Sequence, residues 1–127
     1  MQFASAALSL LLVAGTCSAA APWYSPSKGS AERAQIMDAL RAKLSSFDPA
    51  SRDLVFVVKD LCLSSGNGWL AVEPQSRDGQ NRLEPLQLSL KRSKSGWVVA
   101  ALACAEENCA KDTDAKAIRA RINPKCE

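Results

Sequence analysis

The chain has no histidine among its 127 residues. That absence removes the commonest general base and the commonest metal ligand together. A serine nucleophile would need a lysine base instead, and no Ser-x-x-Lys falls on a helical pattern: Ser25 to Lys28 lies in a Pro/Ser-rich stretch. No glycine-rich loop follows a strand and no EF-hand spacing occurs, so phosphate or calcium binding by those devices is excluded. Aromatic residues are 6% of the chain, and no Lys/Arg run is interleaved with them as a nucleic-acid groove requires. The net charge of +3 is a mild bias. Lys91, Arg92 and Lys94, and Arg119, Arg121 and Lys125, read as solvated surface rather than as a site for nucleic acid or an anionic membrane.

Long apolar runs are lacking too. Beyond the first twenty residues nothing reaches the ~18 apolar residues of a membrane-spanning helix, so no stable membrane span is expected. The early apolar run, Leu8 to Ala14, is succeeded by small residues at Ser18 to Ala21 and reads as a secretory signal peptide over 1–20, cleaved near Ala20. Its n-region has no Lys or Arg. Cys17 raises lipid anchoring as an alternative, against which Thr16 is bulkier than the residue such anchors place before the cysteine. The expected location is periplasmic or extracellular. The remaining chain divides into an N-terminal tail over 21–30, rich in Pro, Ser and Gly, and a single domain over 31–127, small enough that its stability margin is thin. Trp23 and Tyr24, the tail's apolar payload, are expected to fold back onto the domain.

Ser30 can cap a helix from Ala31 to Leu44, with Glu32 in its first turn and Ile36, Leu40 and Leu44 forming one stripe beside Met37 and Ala39. Asp48 to Ser51, containing a proline, closes it. A first strand spans Asp53 to Leu63, its alternation broken at Lys59-Asp60, where a bulge is expected. Ser64 to Gly68 supplies a turn, and Trp69 to Val72 a second strand. Pro74 to Pro85 is a polar loop of the kind that carries recognition. In the third strand, Leu86, Leu88 and Leu90 alternate with Gln87, Ser89 and Lys91, one face buried and the other wet. Trp97 to Cys104 is a fourth strand. Asp112 to Asn123 reads as a second helix, capped by Asp112 or Thr113, with Ala115, Ile118 and Ile122 inward and Pro124 ending it. The order implies an α+β fold, an N-terminal helix packed on a four-stranded antiparallel meander, with a C-terminal helix pinned by disulfides.

The runs ERAQIMDALR (Glu32 to Arg41), FVVKDL (Phe56 to Leu61), GWLAVEPQSRDG (Gly68 to Gly79) and GWVVAAL (Gly96 to Leu102) resemble a family of small uncharacterised bacterial secreted or periplasmic proteins. The resemblance covers about Glu32 to Leu102 and implies a cystatin-like or nuclear-transport-factor-like α+β fold. It supplies no activity and no functional residues. This chain departs from it in a shorter loop after Pro74 and a cysteine-rich, helical C-terminus.

Four cysteines lie beyond the signal: Cys62, Cys104, Cys109 and Cys126. An even count in an exported chain favours disulfides, and spacing alone leaves three pairings open. In a meander the end of the first strand and the end of the fourth lie too far apart for the ~7 Å Cα limit, and a helix separates Cys109 from Cys126. Cys104 with Cys109 and Cys62 with Cys126 is the pairing left. A zinc site would want two close ligand pairs, often with histidine; only Cys104 and Cys109 are close, so no metal or cofactor is expected.

Paired carboxylates remain the one route to acid–base chemistry, with Asp60, Glu73, Asp78 and Glu84 as candidates for a hydrolase. The stronger expectation is a non-enzymatic binding protein with a protein partner, in the sharper form a periplasmic inhibitor or immunity-type protein. No Gln-x-Val-x-Gly hairpin of a protease-inhibiting cystatin is present. Candidate binding residues are Arg77, Asp78 and Arg82 in the polar loop. Trp69 and Trp97 would line a small-ligand pocket between helix and sheet, the alternative binding mode.

Overall fold

The structure, a computed structural model, describes residues 22–104, 116, 117, 119, 120 and 126. The expected signal peptide, Cys109 and most of the expected second helix lie outside the described residues; Lys116, Ala117, Arg119 and Ala120 within that stretch are helical.

The first helix, α1 (Ala31–Ser45), starts where the Ser30 side chain accepts a hydrogen bond from the Arg33 amide at 3.2 Å. This satisfies one of the four donors that a helix start leaves unpaired. Its stripe buries Ile36 and Leu40 completely, with Met37 and Leu44 half-buried beside them. The Asp48-Pro49 stretch does more than stop the helix. Asp48 accepts from the Ala50 amide at 3.0 Å and starts a separate 3₁₀ turn, η1 (Pro49–Asp53), which steers the chain into the sheet.

Four antiparallel strands follow in sheet order β1-β2-β3-β4: β1 (Val55–Leu63), β2 (Asn67–Gln75), β3 (Leu86–Ser93) and β4 (Gly96–Cys104). The β1–β2 register slips between Val58 and Asp60, making Lys59 the extra residue of the bulge where the alternation breaks. The second strand runs past Pro74, because Pro74 contributes only its carbonyl to the ladder, accepting from the Leu83 amide at 2.9 Å, and so needs no N–H. The expected loop is thereby shortened to a tight tip. Gln75 bridges Arg82, Ser76 N donates to the Asn81 carbonyl at 2.9 Å, and Gly79, at φ 72°, closes the turn.

Phe56, Leu61, Leu63, Leu70, Val72, Leu88, Leu90 and Trp97 form the sheet's face toward α1 and pack on Ile36 and Leu40. Contrary to the one-sided sheet expected from the sequence, the middle of the opposite face is buried too. Cys62, Trp69 and Ser89 stand side by side across three strands on that face, at 0%, 1% and 9% exposure. Arg119 reaches Asp60 at 3.0 Å, and Cys126 is bonded to Cys62 with a Cα separation of 5.5 Å. The C-terminal part of the chain therefore meets this second face. Cys104 is disulfide-bonded as well; its expected partner, Cys109, is outside the described residues.

The N-terminal stretch is held, not loose. Tyr24 and Leu63 exchange two backbone hydrogen bonds of 2.8 Å along the outer edge of β1. At the other edge of the sheet, the side-chain amide of Gln35 donates to the Trp97 carbonyl at 2.9 Å and accepts from the Trp97 amide at 2.8 Å. It thus takes the place a neighbouring strand would fill at the start of β4. No described helix is long and apolar enough to cross a membrane.

Candidate functional site

Two clusters of polar and exposed side chains lie at opposite ends of the sheet. One sits where η1 packs beside the tip of the β2–β3 connection. There the surface sinks into a groove of two lobes, about 400 Å³ and 270 Å³, which share Ala50, Leu54 and Ser76. The first lobe is completed by Asp53, Arg77 and Asp78, the second by Asp48, Ser51, Asn81 and Leu83. The floor is mostly apolar. Leu83, one of the larger exposed apolar side chains of the described residues at 48%, lines the second lobe.

The polar groups of the groove are fixed by the local backbone. The Asp78 carboxylate accepts from the Ser76 hydroxyl at 2.5 Å and from the Gln80 amide at 3.0 Å. These two bonds favour its charged form, the Ser76 bond foremost, and hold its carboxyl below the usual value of 3.8. Arg77 lies 3.7 Å from Asp53, both well exposed, a geometry that contributes little energy. Arg82, between Asn81 and Leu83, belongs to neither lobe.

The second cluster gathers on Glu32 near the β3–β4 turn. Its carboxylate accepts from the Tyr24 hydroxyl at 2.8 and 3.0 Å, from the Trp97 indole N–H at 3.2 Å and from Arg92 at 3.4 Å. The Arg92 guanidinium also lies 5.4 Å from the centre of the Trp97 ring. Partial burial first, and the Glu32 carboxylate second, push the Tyr24 hydroxyl above its usual 10.0. The cluster ties the N-terminal segment, α1 and the β3–β4 hairpin together.

The residues singled out from sequence are distributed unevenly over these sites. Arg77 and Asp78 reach the groove. Trp69 and Trp97 do not share a pocket: Trp69 alternates with Leu70 and faces away from α1, whereas Trp97 packs under it, and both are at least 98% buried. The space between α1 and the sheet is filled by Leu63, Leu70, Leu88 and Leu90 meeting Ile36 and Leu40. Among the carboxylates, Asp60 is bonded to Arg119 and Glu73 lies 3.6 Å from Lys59, so each has a cation of its own. Glu84 is exposed on the connection to β3. Sequence reasoning does not single out Leu54, Ser76 or Leu83. The one available signal is Leu83, a lone large aliphatic in a polar stretch. Among the described residues no group of three or more Cys, Asp and Glu side chains converges on a point where it could hold a metal ion.

No protein-family model matches the chain, and no curated protein or solved structure matches it.

Proposed function

We propose that the protein is an exported, non-enzymatic interaction protein, of the inhibitor or immunity type, that receives a segment of a protein partner in the groove between η1 and the β2–β3 tip. The observation that carries this reading is the open, mostly apolar floor of that groove. Half-exposed Leu83, with Leu54 and Ala50, lines a depression with an apolar floor, whereas the space between α1 and the sheet is filled. Apolar patches on a small domain mark contact sites. The Cys62–Cys126 bridge supports export, because such bonds persist in oxidising compartments. In this reading the C-terminal helix, pinned by disulfides, serves as cover for the second face of the sheet and leaves the groove end open. The ion pairs of Asp60 and Glu73 favour structural roles for those carboxylates over acid–base chemistry.

The test is to immobilise the mature protein and a Leu83→Asp variant and pass over each the exported fraction of the source cells. Leu83 is half exposed, so the variant should keep its circular dichroism spectrum. Retention of a stoichiometric partner by the wild type, reduced at least about tenfold by Leu83→Asp, supports the groove as the contact. Equal retention by both overturns it.

A further inference from the structure

The groove is unevenly charged. Three carboxylates, Asp48, Asp53 and Asp78, line it against one guanidinium, that of Arg77. Arg77 already has Asp53 beside it. Asp48 and Asp78 are in no ion pair among the described residues, and in both the bonds that fix the side chain are accepted by Oδ1. Two oriented carboxylates thus flank an apolar floor on a chain whose net charge is +3. The negative character is local, and opposite in sign to the protein as a whole.

We infer that the groove selects a partner segment in which an aliphatic side chain sits next to a lysine or arginine, the aliphatic group covering Leu54 and Leu83 while the cation reaches Asp48 and Asp78. The inference rests on the interaction reading and specifies its chemistry. The apolar contact supplies the attraction and the carboxylates the selection, since exposed charges discriminate between partners more than they hold them. Screening confines that selection to groups within about 8 Å at physiological salt. A second copy of the chain is the alternative occupant. The β4 edge is the less suitable surface for strand addition: Gln35 caps it at Trp97, and register shifts opposite Gln87/Leu88 and Ser89/Leu90 bulge it.

The experiment titrates ¹⁵N-labelled mature protein with three heptapeptides, alternating leucine and lysine, leucine and glutamate, and serine and lysine. The leucine–lysine peptide should give saturable shifts at the amides of Ala50, Leu54, Ser76 and Asn81. The other two should bind at least about fivefold more weakly. Asp48→Asn with Asp78→Asn keeps both turn-forming acceptors, since an Asn carbonyl oxygen replaces Oδ1. It should lower affinity for the leucine–lysine peptide about tenfold and leave the leucine–glutamate peptide unaffected or improved. Equal binding of the glutamate peptide, shifts centred elsewhere, or a concentration-dependent dimer that protects the same amides overturns the inference. If Leu83→Asp abolishes capture of a cellular partner while the double Asn variant captures it normally, the charge selection fails and the interaction reading stands. If Leu83→Asp changes nothing, the reading itself fails.

Discussion

The indole N–H of Trp97 donates to the carboxylate of Glu32 at 3.2 Å, joining the first turn of α1 to the first residues of β4. Trp97 is 2% exposed, so its N–H has little access to water once that acceptor is gone. An unpaired buried donor costs about 1–3 kcal/mol. The Arg92–Glu32 ion pair, half exposed on the arginine side, adds little to this. Glu32→Ala should therefore destabilise the protein by about 2 kcal/mol in urea unfolding, and Glu32→Gln, which keeps an acceptor, by less than half of that. Equal losses for the two variants would show that the charge and not the hydrogen bond matters.

Tyr24 is the chain's one tyrosine, so phenolate absorbance in an alkaline titration reports on it alone. Its midpoint should lie above 10.0, raised by partial burial and then by the Glu32 carboxylate. The sign follows from the neutral form being favoured in the folded state. The associated stabilisation is complete below about pH 10 and disappears as pH rises through the folded midpoint. Glu32→Gln should move the midpoint back toward 10.0; an unchanged value would mean that burial alone sets it.

Gln35 satisfies both backbone groups of Trp97 on the outer edge of the sheet. Gln35→Ala should cost about 1–2 kcal/mol, within the range for losing two partly buried hydrogen bonds. It also leaves an edge strand without a charged residue from Gly96 to Cys104 partly open to pairing with other chains. Light scattering should show more self-association for Gln35→Ala than for wild type at equal concentration. A monomeric variant of unchanged stability would contradict both expectations.

The bridge from Cys62 to Cys126 spans a sequence separation of 64 residues. Closing a loop of that length removes enough freedom from the unfolded chain to stabilise the fold by about 4 kcal/mol, a large share of what a small domain has. Cys62→Ala combined with Cys126→Ala should lower stability by roughly 2 kcal/mol or more. Thiol titration of the denatured wild type should find neither cysteine free. Free thiols at both positions would remove the oxidised framework.

Local pattern carries much of this architecture. Ile36, Leu40 and Leu44 mark a helix because four-residue steps return to one side of it. Leu86, Leu88 and Leu90 mark a strand, and the faltering alternation at Lys59 marks the bulge. Ser89 shows where that reasoning stops: alternation places it on a wet face, yet it is nearly buried, on the face whose Asp60 and Cys62 are met by Arg119 and Cys126 from far along the chain. The faces of Trp69 and Trp97 depend on cross-strand register, which turns and bulges set and composition does not. The groove is the least legible feature. It exists only because η1, which reads in sequence as a helix stop, lies against a tip that Pro74 and Gly79 tighten, and neither segment reveals the other.

Cys62 and Leu63 are consecutive residues, and between them they hold Cys126 and Tyr24. Tension applied at Pro22 and Cys126 would therefore converge on β1, meeting a covalent bond on one side and, on the other, only hydrogen bonds: the backbone pair of Tyr24 with Leu63 and the bonds of the Tyr24 hydroxyl to Glu32. The ladders joining β2, β3 and β4 would carry none of the load. Under pulling, the N-terminal segment should peel from Leu63 and Glu32 first, while the remainder of the sheet stays intact.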